Sequence, residues 1–350
     1  MDTMSKLSIT DFLIKLMNIE STTGGEGPLA NFIKEFCEFE GFEVILQDVE
    51  IHKNRYNLLI KHTKAEISDV KFLLNTHMDT VPPYTHHRIG DECIYGRGSN
   101  DAKGQIASMI FALRTLKKES PELSKQVALL LVVGEETDHV GMIRANDLNL
   151  CPSYLIVGEP TELIFAHAQK GALKIRLISK GRPAHSGYPE KGRSAIHNLL
   201  DVLQDLRSHE WPRNDDLGET TLNVGLIQGG QALNALAGHA EASLMFRVVD
   251  SAAGLLQEVE TIVKGRVEID VLGLNEPVHL TKPPEPFKSQ SVAFNTDIPY
   301  FNNYKKLDGV YLIGAGSITT AHSKHEFIPI EELEKCPGMI CSLLDKLHEK

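Results

Sequence analysis

The chain has 350 residues, of which 42% are hydrophobic and 24% charged, a composition typical of a soluble globular protein with about two domains. Its formal net charge of −11 argues against nucleic acids and anionic membranes as partners, because both attract an excess of Lys and Arg. The five cysteines form no CxxC pair, so we expect free thiols. Residues 1–15 lack the apolar segment of a signal peptide, and no apolar run is long enough to cross a bilayer. We therefore expect a cytoplasmic protein.

The N-terminal part of the chain alternates between helical and β-rich segments. Apolar residues at helical spacing follow Ser8, and a second helix is expected from Pro28, which suits a first helical turn because no N–H is needed there. The predicted helices are 9–18, 28–37 and 103–117, and the predicted strands are 42–46, 56–60, 70–74, 127–133 and 154–157. This alternation predicts an α/β domain with a mostly parallel sheet and flanking helices.

The pattern changes near His167. The elements predicted beyond it are strand 172–179, helix 194–207, strands 221–227 and 240–249, helix 255–263 and strand 267–271. Their order, β-α-β-β-α-β, is that of a ferredoxin-like α+β module. A further strand, with a pattern like those of the N-terminal part, is predicted at 311–313. We therefore predict one α/β domain formed by residues 1–166 and 275–350, interrupted by an inserted domain of residues 167–274.

Polar residues with metal-binding side chains follow several predicted strands or precede a helix. They are His77, Asp79, Asp101, Glu135, Glu136, Glu159 and His322. Taken singly, each motif has a simpler explanation: a surface loop for His77, an N-cap for Asp101, and solvated acids at a strand end for Glu135. The glycine-rich segment 96–104 could also bind phosphate, although the GxGxxG and Walker patterns are absent.

Together these positions favour a metal site, because open α/β sheets bind ligands at the carboxyl ends of their strands. Two histidines and three acids could hold two divalent ions with one bridging carboxylate. Nitrogen and oxygen ligands without a thiolate suit Zn²⁺, Co²⁺ or Mn²⁺. Two such ions polarise a carbonyl and generate hydroxide from water near neutral pH. Of the adjacent Glu135 and Glu136, one could bind metal and the other act as a base.

With these residues the sequence resembles the M20 family of metal-dependent peptidases and deacylases, and within it the branch of acetylornithine deacetylase and succinyl-diaminopimelate desuccinylase. The resemblance covers nearly the whole chain and rests on segments 77–79, 96–104, 135–136 and 158–161. It implies a di-zinc peptidase-like domain with an inserted lid and dimerisation domain. It also implies two divalent ions, zinc as the first candidate and cobalt as the alternative, and a homodimer.

The resemblance assigns five residues to the two ions: Asp101 as the bridge, Glu136 and His322 at one ion, and His77 and Glu159 at the other. His325 is the alternative to His322, which is preferred because it follows an alanine as the family pattern does.

Three further residues receive catalytic roles from the resemblance. Glu135 would be the general base that takes a proton from the metal-bound water, leaving the hydroxide that attacks, and later passes the proton to the leaving amine. Asp79 would orient His77. His185 would reach the site of a neighbouring subunit and stabilise the oxyanion, which well-studied donors do by about 2.7–4 kcal/mol.

The lid segment bears on the substrate. Asn234 and Arg247 match the family residues that hold the substrate's α-carboxylate, although Arg247 could also be an ordinary exposed strand residue. Gln169 and Lys170 stand where desuccinylases tend to carry paired arginines; Lys170 could still bind an acid. This departure favours an N-acetyl amino acid over a succinylated one.

The resulting prediction is a di-metal amidohydrolase acting on an N-acyl amino acid such as N-acetylornithine, with a role in arginine biosynthesis. The alternatives are a desuccinylase, an acetylcitrulline or carrier-linked lysine deacylase, and a small carboxypeptidase or dipeptidase. A non-catalytic binding protein is disfavoured because no ligand of the motif set is missing. The remaining histidines considered, expected at the surface or behind the ligands, are His86, His87, His139, His167 and His239.

Overall fold

The computed structural model describes residues 7–50 and 54–349. The helices in these residues are α1 Ile9–Met17, α2 Gly27–Phe39, α3 Lys103–Glu119, α4 Pro121–Ser124, α5 Val140–Ala145, α6 Ala195–Ser208, α7 Ala252–Val263 and α8 Ile330–His348. The strands are β1 Phe42–Glu50, β2 Arg55–His62, β3 Phe72–His77, β4 Arg88–Ile89, β5 Cys93–Tyr95, β6 Val127–Val132, β7 Tyr154–Val157, β8 Phe165–Gln169, β9 Gly171–Lys180, β10 Arg213–Asn214, β11 Gly218–Glu219, β12 Thr221–Gly229, β13 His239–Val248, β14 Glu268–Asn275, β15 Val278–His279, β16 Ser289–Val292, β17 Gly309–Leu312 and β18 Phe327–Pro329.

The chain divides into two compact units. The first comprises Met1–His167, Leu280–Gln290 and Thr296–Lys350, and the second comprises Ala168–His279 and Ser291–Asn295. The second unit thus extends to His279 and also includes Ser291–Asn295, whereas the sequence predicts an insert of residues 167–274. The difference arises because β15 pairs with residues 168 and 169 of β8, which belong to the second unit.

A mixed sheet forms the centre of the first unit, with strand order β1-β2-β6-β3-β7-β17-β8. The four middle strands β6, β3, β7 and β17 run parallel to one another, and the flanking pairs are antiparallel. Strand β6 has the sequence VALLLV and is buried along its whole length, as expected of a parallel strand covered on both faces. The predicted α/β class with a mostly parallel sheet is confirmed.

Helices α1, α3 and α8 pack against one another in the first unit. Ser8 caps α1, because its hydroxyl oxygen accepts the N–H of Asp11 at 3.0 Å. Gly104 of α3 lies so close to the Ser99 carbonyl that a side chain there would clash, and most of this helix is buried. In the described parts of the chain, none of the helices combines the length and apolarity that crossing a bilayer requires.

The second unit contains the order β9-α6-β12-β13-α7-β14. Its four-stranded antiparallel sheet has the order β12-β13-β9-β14. Alternate residues of β13 are buried, and α6 and α7 pack on the sheet, their apolar sides contributing to its core. This is the predicted ferredoxin-like arrangement.

Candidate metal centre and active site

Four neighbouring parallel strands of the first unit end at one edge of the sheet, and a predicted site residue follows three of them closely. His77 is the last residue of β3, Glu135 and Glu136 come just after β6, and Glu159 comes just after β7. His322 lies in the longer loop after β17. The structure brings all these side chains together, at the place where open α/β sheets bind ligands.

Asp101 lies between two histidines. Its Oδ1 is 3.0 Å from His77 Nε2, and its Oδ2 is 3.3 Å from His322 Nε2. The two oxygens therefore face different histidines, which is the geometry of a bridging carboxylate. Glu159 lies on the His77 side, with Oε1 3.7 Å from Nε2. Glu136 lies on the His322 side, with Oε2 3.0 Å from Nε2.

Asp79 connects the ends of β3 and β6. His77 Nδ1 lies 3.0 Å from the main-chain oxygen of Asp79 and 3.4 Å from its Oδ1, which leaves Nε2 facing the other acids. The Asp79 carboxylate accepts the main-chain N–H groups of Glu135 and Glu136 at 3.1 and 3.2 Å. It also accepts the hydroxyl of Thr23 at 2.8 Å. One buried aspartate thus fixes the His77 ring and the turn that carries both glutamates.

The loop before α3 has a backbone path that glycine permits. Gly96 and Gly98 have φ angles of 130° and 82°, values that L side chains rarely adopt. Ala102, not Asp101, occupies the N-cap position of α3. The Asp101 carboxylate therefore does not cap the helix and faces the histidines instead.

Glu326 holds this loop from the C-terminal part of the chain. Its Oε1 accepts the main-chain N–H groups of Gly98 at 2.9 Å and of Asn100 and Asp101 at 3.2 Å each. Arg97 pairs with the other carboxylate oxygen. Because these N–H groups already have an anionic partner, the alternative of a phosphate-binding loop at 96–104 loses its donors.

The two histidines are drawn towards their charged forms. Burial alone would lower the pKa of His77, but hydrogen bonds to Asp101 and Asp79 raise it well above the ordinary value. Hydrogen bonds to Asp101 and Glu136 raise the pKa of His322 to about 10. In the metal-free protein the surrounding acids thus favour the protonated form of both rings.

The glutamates respond in the opposite direction. Burial raises the pKa of Glu135 and Glu159 well above the ordinary value, and it also raises the pKa of Glu136. Burial would raise the pKa of Asp101 as well, but the hydrogen bonds from His322 and His77 lower it. Four crowded carboxylates against two imidazoles carry more negative charge than the protein itself compensates.

This donor set fits divalent cations. The ligand atoms of His77, Asp101 and Glu136 lie within 4.8 Å of one another. Two imidazole nitrogens and three carboxylates without a thiolate match the preferences of zinc and related ions. Bound cations would also neutralise the buried acids, so the residues present fit a two-metal centre.

The predicted substrate-binding residues lie in the second unit. His185 and Asn234 are both exposed, and their loops are joined because Ser186 N–H donates to the Asn234 carbonyl at 2.9 Å. Arg247 lies on β13 opposite Thr221 of β12 and is partly buried.

Lys170 is buried and donates to the main-chain oxygen of Glu219 at 2.5 Å. Burial lowers its pKa. Its ammonium group is therefore engaged with the fold of its own unit, and a role in substrate binding stays a prediction.

Sequence reasoning missed Glu326, and it left His139 open between the surface and a position behind the ligands, of which the structure shows the second. His139 is only 3% exposed, so it is not a surface residue. Its Nδ1 lies 2.9 Å from Asp297 Oδ1 and 3.9 Å from Glu135 Oε1. The signal available was its position four residues after Glu135. His139 does not directly follow a strand, so its place near the site could not be inferred from a strand end. The turn after β6 brings it back towards the site.

The first unit therefore brings together, on an α/β scaffold, residues that fit divalent metal ions, and comparisons with known proteins identify the family. The family model described as the peptidase dimerisation domain of the M20 group matches residues 167–270. An M20 peptidase domain-containing protein of Schizosaccharomyces pombe is 35% identical over 91% of this chain and 79% of its own. A probable carboxypeptidase of Aspergillus terreus is 34% identical over 95% of this chain and 85% of its own.

Solved structures agree on the fold. A tripeptidase of Staphylococcus aureus matches with a TM-score of 0.80 at 20% identity, over 98% of both chains. A protein of Bacillus subtilis, described as a dinuclear metal-binding peptidase of the M20 family, matches with a TM-score of 0.67 at 13% identity, over 97% of this chain and 98% of its own. The chain belongs to the M20 family of peptidases, which are metal-dependent hydrolases of amide bonds.

Proposed function

We propose that this protein hydrolyses the amide bond between an acyl group and an amino acid with a free α-carboxylate. The observation that carries the proposal is the placement of His77 and His322 at opposite oxygens of Asp101, with Glu159 and Glu136 beside them. We propose that His77 and Glu159 hold one ion, that His322 and Glu136 hold the other, and that Asp101 bridges them. Zinc is the first candidate and cobalt the alternative.

When bound, the two cations supply polarisation of the amide carbonyl and acidification of water. Glu135 accepts the proton of the attacking water and donates it to the leaving nitrogen as the C–N bond breaks, which gives a carboxylate and a free amine. Asp79 fixes the turn that carries Glu135. His185 is proposed to donate a hydrogen bond to the oxyanion from a neighbouring subunit.

Within this class, the first candidate substrate is an N-acetyl amino acid such as N-acetylornithine. Gln169 and Lys170 replace the arginine pair of desuccinylases, which disfavours a second carboxylate on the acyl group. A second candidate, cleavage of the C-terminal residue from a short peptide, is favoured by the fungal relatives named probable carboxypeptidase. Both substrates leave an amino acid with a free carboxylate, for which Arg247 and Asn234 are the proposed partners.

A substrate panel with added zinc and, separately, cobalt tests this proposal. It contains N-acetylornithine, N-acetylcitrulline, N-succinyl-diaminopimelate, carrier-linked acyl-lysine, a dipeptide and a longer peptide, with each of the first four also as its α-carboxamide. We expect the highest kcat/KM for N-acetylornithine. We expect the α-carboxamide to lose about 10- to 100-fold, because a hydrogen bond to a charged group contributes about 1.5–3 kcal/mol. Preference for a peptide would overturn the acetyl assignment, whereas no hydrolysis with either metal would overturn the class.

We also propose a homodimer formed through the second unit, whose family is described as a dimerisation domain. Strand β12 is at one edge of the sheet, and among the described residues it pairs with β13 alone. Its Leu226 and Ile227 are 71% and 56% exposed, and Leu200 of the adjacent helix α6 is 49% exposed. An unpaired strand edge with apolar neighbours is suited to pairing with a second copy about a twofold axis.

The variant Leu226→Asp tests the dimer. A carboxylate in the centre of an apolar interface cannot be solvated, so we expect a monomer in size-exclusion chromatography with light scattering. The control is Leu272→Asp on β14, the opposite edge strand, where the native side chain is 54% exposed; it should remain dimeric. A dimeric Leu226→Asp protein would contradict the use of β12.

A further inference from the structure

His139 is a buried polar residue near the site that the proposed reaction does not use. It lies directly before α5 with a φ of 57°, in the left-handed region, which few non-glycine residues adopt. Its main-chain N–H donates to the Gly134 carbonyl at 2.8 Å, which closes the turn that carries Glu135 and Glu136. Backbone in this conformation persists only where the surroundings determine it strongly.

Two residues from a distant part of the chain fix the His139 ring. Asp297, itself 2% exposed, lies 2.9 Å from Nδ1. Because a carboxylate can only accept, the proton of the imidazole is assigned to Nδ1. The ring of Tyr300 stacks on the imidazole with a centroid separation of 4.0 Å and an interplanar angle of 17°. The ring therefore has a defined position and a defined donor.

The same donor faces Glu135. Glu135 Oε1 lies 3.9 Å from His139 Nδ1, so an approach of about 1 Å would let Glu135 share the N–H that Asp297 accepts at 2.9 Å. Catalytic hydrogen bonds are often long in ligand-free structures and shorten in the substrate complex. One polar side-chain atom of each of Glu135, His139 and Asp297, a carboxylate oxygen or an imidazole nitrogen, lies within 4.8 Å of those of the other two. His139 is thus placed to limit where the Glu135 carboxylate can point.

We propose that His139, held by Asp297 and Tyr300, is a positioning residue that orients Glu135 for proton transfer to the leaving nitrogen. The inference rests on the proposed function, in which Glu135 carries that proton. A purely structural role would be different: His139 would only tie the turn after β6 to the segment around Asp297. Its loss would then disturb Glu136 equally, through the same turn.

The test compares two substrates that share one acyl group. An amide needs a proton on its leaving nitrogen, whereas the corresponding ester has a leaving oxygen that departs with much less help. We expect His139→Asn to lower kcat on the amide about 10- to 100-fold, since a misplacement of about 1 Å can cost on the order of 100-fold. Asparagine tolerates the left-handed backbone. The loss on the ester should be at least 5-fold smaller, with KM and bound metal unchanged.

The second variant and the control separate the possible causes. Asp297→Asn keeps an acceptor for His139 and should give the same amide-selective loss, only weaker. Asp138→Asn changes an exposed residue of the same turn and should leave both rates unchanged. Equal losses on amide and ester would place the effect in the activation of water, which both substrates need, and would overturn the role in proton transfer to the leaving nitrogen. Loss of metal from His139→Asn would overturn it as well. A wild-type protein inactive on every amide and ester would instead overturn the proposed function.

Discussion

Glu135→Gln should retain metal and lose turnover. Glutamine keeps the shape of the side chain but cannot accept the proton of water, and general acid–base groups contribute about 10²- to 10⁴-fold. We expect kcat on the best panel substrate to fall within that range. Metal content by elemental analysis should be unchanged, because the proposed ligands are other residues. Burial raises the pKa of Glu135, so removal of its charge should not destabilise the metal-free protein.

The neighbouring position provides the matched control. Glu136→Gln makes the same change one residue later, on a side chain that lies 3.0 Å from His322. We expect this variant to lose metal affinity as well as turnover. Opposite outcomes at adjacent glutamates would separate base from ligand. Unchanged turnover in Glu135→Gln, or loss of its metal, would refute the role of Glu135.

The sequence predicts the fold well where burial leaves a local signal. Strand β6 is a continuous apolar run, and the observed Val127–Val132 differs from the prediction at one end only. Helix α8 leaves a misleading signal, since Pro337 and Gly338 fall in its interior. Proline disfavours the middle of a helix, and no element is predicted beyond residue 313. Packing against α3 stabilises this helix in spite of its local sequence.

The site is predictable to the extent that its residues follow strands. The sequence positions of His77, Glu135 and Glu159 at or just after strands predict that they share a site, because the carboxyl ends of parallel strands lie at one edge of the sheet. Glu326 and His139 do not, since their significance depends on partners far along the chain. Glu326 accepts an N–H from a residue 225 positions earlier, and His139 meets Asp297 158 positions later. Neither contact leaves a periodic or local trace in the sequence.

Asp101→Asn should have the largest effect on metal binding. An asparagine offers one carbonyl oxygen and one NH₂ group, so it cannot present an anionic oxygen to each of two ions. We expect the bound metal to fall from two ions per chain to fewer than one, with turnover below detection. Replacing even an outer partner of a ligand costs about 10- to 100-fold in affinity, and a shared ligand should cost at least the upper value.

Thermal and chemical unfolding give a readout of this loss that does not depend on activity. At free zinc 100 times the wild-type Kd, binding at each site stabilises the wild type by about 2.7 kcal/mol. A site with 100-fold weaker affinity would contribute only about 0.4 kcal/mol at the same zinc concentration. Asp308→Asn, at an exposed position before β17, should keep the full wild-type gain. If Asp101→Asn were stabilised by zinc as strongly as this control, Asp101 would not bridge the ions, because a bridge cannot be removed without weakening both sites.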